Sequence, residues 1–263
     1  YDVVTDEDLD REGAALLDPY KVVITGSHPE YWSGPMLDAV QHYLDNGGRV
    51  MHLAGNGFFW VTSFHPERPH VIEVRRWHGT RAWQAEPGEY YHGTTGELGG
   101  LWRFRGRPPQ RMLGVGFAAQ GFDHSLPFIR QPGSFDPSVS FIFEGIGDDE
   151  VIGDFGLVME GAGGFEVDRV DRELGTPEET LVLATTSGFS DVYQLAVEEV
   201  LMNGPHGGTV DQNVRGDMTY LPLDGGGAVF SASSIAWCGS LSANGYDNNV
   251  SRITDNVLRR FIT

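Results

Sequence analysis

Residues 21–60, KVVITGSHPEYWSGPMLDAVQHYLDNGGRVMHLAGNGFFW, constrain the fold more than any other stretch. Two short apolar runs, Val22-Val23-Ile24 and Val50-Met51-His52-Leu53, read as buried strands. Between them Met36, Leu37, Val40, Tyr43 and Leu44 recur at helical spacing, and Gly47-Gly48 stop the helix. Strand, helix and strand at these lengths make a parallel β-α-β unit. In parallel sheets, chemistry collects just beyond the carboxyl ends of the strands. Ser27-His28-Pro29-Glu30-Tyr31-Trp32 takes that place after the first strand, and Gly55-Asn56-Gly57-Phe58 after the second. The two segments predict one polar crevice.

Upstream, Thr5-Asp6-Glu7-Asp8 reads as a capping box before Leu9, Ala14, Ala15, Leu16 and Leu17, with residues 1–4 as a preceding strand. The order strand, helix, strand, helix, strand to about Phe59 predicts an α/β fold with a doubly wound, mostly parallel sheet. From about Val61 to about residue 180, Arg, Trp, Gly and Pro become frequent, and the pattern reads as a β-rich insertion. Val71-Ile72-Glu73-Val74 and residues 111–117 alternate like strands, and Leu181-Val182-Leu183-Ala184 reads as another. Residues 191–201 carry Tyr193, Leu195, Ala196, Val197, Val200 and Leu201 and read as a helix. Gly225-Gly226-Gly227 precedes the core strand Ala228-Val229-Phe230-Ser231-Ala232. Asp247-Asn248-Asn249 caps a final helix with Val250, Ile253, Val257, Leu258 and Phe261 on one face.

With 40% hydrophobic and 11% aromatic residues, the 263-residue chain can bury a sizeable core as one large domain. No apolar run approaches the roughly 18 residues that a membrane span needs. The formal charge of −19 argues against nucleic acid and anionic membranes as partners, and its simplest reading is a solvated acidic surface. The single cysteine, Cys238, excludes an internal disulfide framework and a multi-cysteine zinc site, and it fits a reducing cytoplasm. The first residue is Tyr1, and the opening falls in mid-motif. The sequence therefore reads as the later part of a longer polypeptide.

His28-Pro29-Glu30-Tyr31 is the sharpest chemical cluster. Pro29 fixes its own φ and biases His28 toward an extended conformation, which can aim the flanking side chains. Glu30 can bind a metal or act as a general base, and His28 can orient it or move protons. The same residues also suit a hydrogen-bonded turn without chemistry. Gly55-Asn56-Gly57 lies where a nucleophile elbow would sit. Many glutamine-amidotransferase-like domains carry a cysteine there, but this chain has Asn56, whose amide can donate to an oxyanion or hold a carbonyl. A tight glycine-rich turn is the alternative reading. Glu97 and Glu166 lie in glycine-flanked stretches and read as surface loop residues. His52 reads as a core histidine, and His65, His70, His78, His92, His124 and His206 show no metal-site spacing. Trp237-Cys238-Gly239-Ser240 reads as a strand end near the crevice, with Cys238 a buried hydrophobe. Trp32, Phe58, Phe59 and Trp60 either wall the crevice or pack in the core.

The stretches YDVVTDEDL, VVITGSHPEYWS, GGRVMHLAGNGFFW, TTGELGGLWR, DEVIGDFGLVM and AVFSASSIAWCGSL…NNVSRITDNVLRRF carry a resemblance over essentially the whole chain. The chain resembles the carboxyl-terminal, glutamine-amidotransferase-like domain of the large (β-type) subunit of N,N-dimethylformamidase. HPEYWS together with GNGF is the most specific part.

That resemblance implies hydrolysis of a small formamide to formate and an amine by a mononuclear, ferric iron held by two tyrosinates and one glutamate. Glu30 matches the glutamate ligand, His28 a functional histidine, and Asn56 a residue that positions substrate or water. Glu166 is the best match for a further acidic residue of the site. The two tyrosines are expected upstream of Tyr1, and Tyr31 is not promoted to their role. Three anionic oxygen ligands suit a hard ion, and they leave positions open for water and substrate. The resemblance also implies a small partner subunit and a homo-oligomeric assembly. Two other readings stay open: a cysteine-less amidotransferase-like domain with a binding or assembly role, and a hydrolase of another small amide or carbohydrate-related substrate.

Overall fold

The computed structural model describes residues 1–76, 86–196 and 207–263. Helix α1 (Asp6–Glu12) starts at a complete capping box: the Thr5 hydroxyl accepts the Asp8 N–H, and the Asp8 carboxylate accepts the Thr5 N–H. Gly13, at φ 64°, ends it, and the single turn α2 (Ala14–Leu17) follows. Strands β1 (Val23–Ile24) and β2 (Tyr31–Trp32) lead into α3 (Gly34–Asp45), and β3 (Arg49–His52) follows. Ser33 caps α3 by accepting the Met36 N–H, and Gly47, at φ 86°, turns the chain toward β3.

The next elements are β4 (Trp60–His65), β5 (Arg68–Val74), α4 (Gln110–Leu113), β6 (Gly116–Leu126), β7 (Ile129–Arg130), β8 (Gly163–Arg169) and β9 (Leu181–Ser187). After them come β10 (Gln194–Leu195), β11 (Arg215–Pro222), β12 (Ala228–Ser231), α5 (Trp237–Ser240) and α6 (Asn249–Ile262).

The main sheet has six strands in the order β1-β3-β12-β11-β9-β7. Its central strands alternate between two cores, as the two-residue strand period requires. Val50 and Val229 face one core with Leu9, Leu17, Met36, Leu37 and Val40 from α1, α2 and α3. Met51 and Phe230 face the other, with Val250, Ile253, Val257 and Phe261 of α6.

The sheet is not the doubly wound, mostly parallel sheet that the first sixty residues predict. Only β1, β3 and β12 run parallel; β11, β9 and β7 are added antiparallel. The reason lies in the connections. A parallel crossover needs a dozen or more residues, usually a helix. The link from β11 to β12 is a tight turn with Gly225 and Gly226 at φ 76° and 89°, so it can only make a hairpin. Among the described residues there are also two three-stranded sheets, β10-β6-β8, which is antiparallel, and β2-β4-β5, which is mixed. The amidotransferase-like doubly wound architecture is therefore set aside.

Four local expectations also change. Residues 1–4 form no strand; Tyr1 and Val3 are solvent-exposed and have no sheet to join. In residues 111–117, Arg111, Met112 and Leu113 belong to α4, because Pro108 and Pro109 start a helical turn whose carbonyls accept the Arg111 and Met112 N–H groups. Only Gly116 and Phe117 of that run enter β6. Of the helix expected at 191–201, Gln194 and Leu195 instead form β10 against Gln120 and Ala119, and residues 197–201 lie outside the described residues, as do His78 and His206. Residues 237–240 are the helical turn α5 rather than a strand end. Among the described residues, no helix is long and apolar enough to cross a membrane.

Candidate functional site

The loops after β1 and β3 are zipped together before any side chain is considered. The Phe58 N–H donates to the Pro29 carbonyl at 2.9 Å, and the Phe59 and Trp60 N–H groups both donate to the Glu30 carbonyl. Tyr31 and Trp32 then pair in parallel with Trp60 and Val61. This pairing brings the HPE segment against the GNG segment.

The 55–57 turn is tight on both flanks. A Cβ on Gly55 would lie 2.3 Å from the Glu166 carbonyl oxygen, and one on Gly57 would lie 2.3 Å from the His52 ring. Only glycine fits either place. Between them Asn56 holds φ 53°, and Phe58, Phe165 and Ser233 in the adjoining segments also have positive φ. Such conformations cost energy outside glycine and cluster where surrounding structure imposes them for function.

The buried Asn56 amide is the hub. Its Nδ2 donates to Glu166 Oε2 at 2.8 Å and to Glu30 Oε1 at 3.1 Å, and it lies 3.5 Å from His28 Nε2. His28 Nε2 lies 3.0 Å from Glu166 Oε2 and 3.4 Å from Glu30 Oε2. The Trp60 indole N–H also donates to Glu30 Oε1, at 2.9 Å. All four residues singled out in the sequence, His28, Glu30, Asn56 and Glu166, therefore meet in one cluster. Glu166 is not a surface loop residue: it sits in β8 with its side chain only 12% exposed. Asn56 differs from expectation too. Both of its amide hydrogens are directed at carboxylates, so it joins two acids rather than presenting a free donor.

The electrostatics follow from this packing. The hydrogen bond to Glu166 pushes the His28 imidazole above its ordinary value, against the opposing effect of burial. Burial pushes the Glu30 carboxyl up, and the nearby Glu166 charge adds to this; His28, Trp60 and Asn56 pull the other way. The packing thus sets an imidazole within 3.4 Å of two carboxyl groups, an arrangement suited to general acid–base work.

A second tier lies behind the cluster. Asp168, two residues along β8 and on the same face as Glu166, accepts the Asn56 backbone N–H at 2.7 Å. Its other oxygen lies 3.4 Å from His52 Nε2, and His52 Nδ1 lies 3.2 Å from the Thr25 hydroxyl. His52 is a core histidine, as expected, but it also touches this tier. Sequence reasoning missed Asp168 and Thr25. Glu-Val-Asp alternation on one strand was the available signal.

The remaining candidates lie elsewhere. Glu97 is held by Thr95 and lies 3.8 Å from Arg105. Cys238 donates its S–H to the Leu53 carbonyl, and burial pushes its thiol up, which suits an inert residue. Trp32 and Phe58 pack in the core with α3, while Phe59 and Trp60 pack with Leu101 and Phe117. Among the described residues, no group of three or more His, Cys, Asp or Glu side chains is arranged to hold a metal ion. The residues present fit one ligand of a hard ion, Glu30, anchored at Oε1 by two N–H donors.

Fold and cluster together define a mixed-sheet domain in which ionisable side chains converge beyond the carboxyl ends of two parallel strands. Sequence comparison makes this specific. Residues 1–248 match the family model described as N,N-dimethylformamidase beta subunit-like, C-terminal, and the chain belongs to that family. It is 50% identical over 263 residues to an N,N-dimethylformamidase beta subunit of Alcaligenes sp, and 49% identical over 265 residues to that of Paracoccus aminophilus. Each match covers 100% of this chain and 34% of the relative, so the chain spans about a third of the length of these relatives.

Proposed function

We propose that this chain supplies the acid–base part of a centre that hydrolyses N,N-dimethylformamide, or a similar small formamide, to formate and an amine. The observation that carries this reading is the convergence of His28, Glu30, Asn56 and Glu166, drawn from three distant segments, on one partly buried point. The names of the relatives, both N,N-dimethylformamidase beta subunits, support the reaction class.

Amide hydrolysis needs a water activated on one side of the carbonyl carbon and a proton delivered to the nitrogen on the other. The His28–Glu166 pair accepts the proton that water loses as it adds to the carbon. The same pair returns that proton to the nitrogen as the C–N bond breaks, leaving formic acid and the free amine, and the acid then gives its proton to the amine to yield formate and the ammonium ion. Asn56 holds the two carboxylates in register, and the Trp60 N–H fixes the rotamer of Glu30. Glu30 would be one ligand of an iron ion whose tyrosine ligands lie outside this chain, and the ion would supply Lewis-acid polarisation of the carbonyl. A cytoplasmic location, a small partner subunit and a homo-oligomeric assembly belong to the same proposal.

The test is iron content and formate release from the full-length enzyme with its partner subunits, for wild type and Glu30→Ala. About one iron per chain in wild type, lost in the variant together with hydrolysis, is the expected result. Absence of dimethylformamide hydrolysis by iron-loaded wild type overturns the reaction. Iron retained by Glu30→Ala moves the ligand away from Glu30.

A further inference from the structure

We propose that Asp168 is a positioning residue: by holding the Asn56 backbone N–H, it keeps the 55–57 turn in the strained form that lets one side-chain amide reach both Glu30 and Glu166. The catalytic consequence rests on the reading above; the structural one does not.

The side chain of Asp168 is fully buried. Isolated carboxylates are rarely left in such places, because burial disfavours the charge unless partners compensate it. Its partners are few and specific. Oδ1 accepts the Asn56 N–H at 2.7 Å, a short distance typical of a charge-assisted bond. Oδ2 faces His52 Nε2 at 3.4 Å, and the Asp168 N–H donates to the carbonyl of Ser233. His52 is itself fully buried, with Thr25 at its other nitrogen. Among the described residues, Asp168 Oδ2 and His52 Nε2 are both without a hydrogen bond, so the bond from the Asn56 N–H is what ties Asp168 to the residue that joins the reactive groups.

Asn56 shows what this bond has to accomplish. At φ 53° it adopts a conformation that an Asn visits but does not prefer, and without it the side-chain amide would point elsewhere. Gly55 and Gly57 make the turn possible without selecting that conformation. The Asp168 acceptor selects it. Asp168 makes no hydrogen bond to Glu166, His28 or Glu30; its charge adds a little to the rise of the His28 imidazole, and its direct hold on the cluster is the Asn56 backbone N–H.

The experiment compares Asp168→Asn, which keeps an acceptor oxygen in the same place, with Asp168→Ala, in the full-length enzyme. Two readouts are taken at equal folded fraction: hydrogen exchange of the peptide spanning residues 53–58, and kcat and KM for dimethylformamide. Asp168→Ala is expected to raise exchange in that peptide at least about tenfold and to lower kcat about 100-fold, with KM within about threefold, as expected for misplaced rather than missing groups. Asp168→Asn is expected to keep both within about threefold of wild type. Unchanged exchange in Asp168→Ala overturns the proposal, as does an Asp168→Asn variant as impaired as Asp168→Ala. If Asp168→Ala does not fold, Asp168→Ser, too short to reach the Asn56 amide, takes its place with the same expectations. A wild type that hydrolyses no amide refutes the proposed reaction, and the exchange measurement still decides the role of Asp168.

Discussion

Glu166 and Asp168 stand two residues apart on β8 and grip the same residue at different atoms: Glu166 takes the Asn56 side-chain amide and Asp168 its backbone amide. The spacing is the plain consequence of a strand, which returns every second side chain to the same face. One strand thereby sets both the path of the 55–57 turn and the direction of its central side chain.

Replacing Asn56 by Asp tests the hub with little change of shape. The new carboxylate meets Glu30 and Glu166 where two N–H donors stood, and hydrogen bonds to charged groups contribute about 1.5–3 kcal/mol each. Asn56→Asp is expected to lower kcat/KM at least about 100-fold and to lower the thermal midpoint. Steady-state kinetics and a thermal melt on the same preparation check this. Wild-type kinetics would show that the amide bridge is dispensable.

The two glycines beside Asn56 should be far less tolerant than Gly26 in the loop after β1. A Cβ on Gly55 meets the Glu166 carbonyl, whereas one on Gly26 meets nothing within 4 Å. Gly55→Ala is expected to destabilise the chain and abolish most activity, with Gly26→Ala close to wild type in both. Chemical denaturation and formate release distinguish the two; equal behaviour would show that the turn can relax.

Away from the cluster, Glu73 makes acid sensitivity predictable. Burial pushes its carboxyl up. The Gly93 and Thr94 N–H groups, Arg75 and the Thr94 hydroxyl outweigh that and hold it down at about 2. A carboxyl depressed in the folded state contributes stability that is fully present above its unfolded value of about 4.5 and is lost as pH falls toward about 2. The urea midpoint of wild type should exceed that of Glu73→Gln above pH 5, and the gap should close between about pH 4.5 and 2. A gap independent of pH would assign the effect to packing instead.

Ile253 tests the second core. It is fully buried with Phe230, Met51 and Val257 in a cluster that contains none of the crevice residues. Ile253→Ala is expected to cost about 2–5 kcal/mol of stability, while the folded enzyme keeps wild-type kcat. Urea titration and kinetics at low temperature read the two effects separately, and a selective loss of kcat would tie α6 to the crevice.

Much of this was legible where local pattern and tertiary role agree. The capping box at Thr5, helix α3 between its two apolar runs, strand β12 and the amphipathic α6 all follow from period and end signals. Strand pairing order was not legible. Periodicity marks β9 as a strand without saying which neighbour it takes or in which direction, β11 was not anticipated, and a parallel start suggested a parallel continuation. The three glycines at 225–227 were the clue to the hairpin. In the crevice, His28, Glu30 and Asn56 could be placed from their position after two strands. Glu166 needed the family resemblance, because Gly163-Gly164-Phe165-Glu166, read alone, looks like a surface loop. Asp168 was hidden by the same loop reading: its alternation with Glu166 becomes a signal only once the segment is taken as a strand.

Asn56 and Glu166 are 110 residues apart in the chain. A growing polypeptide therefore holds HPE and GNG long before it holds the groups that complete them, and the β6–β8 sheet must dock before the acid–base pair exists. Closing so long a loop is slow compared with forming α3 or the β4–β5 hairpin. Catalytic competence should accordingly arrive as one of the last events of folding. Partly folded chains would have their helices in place yet remain chemically silent.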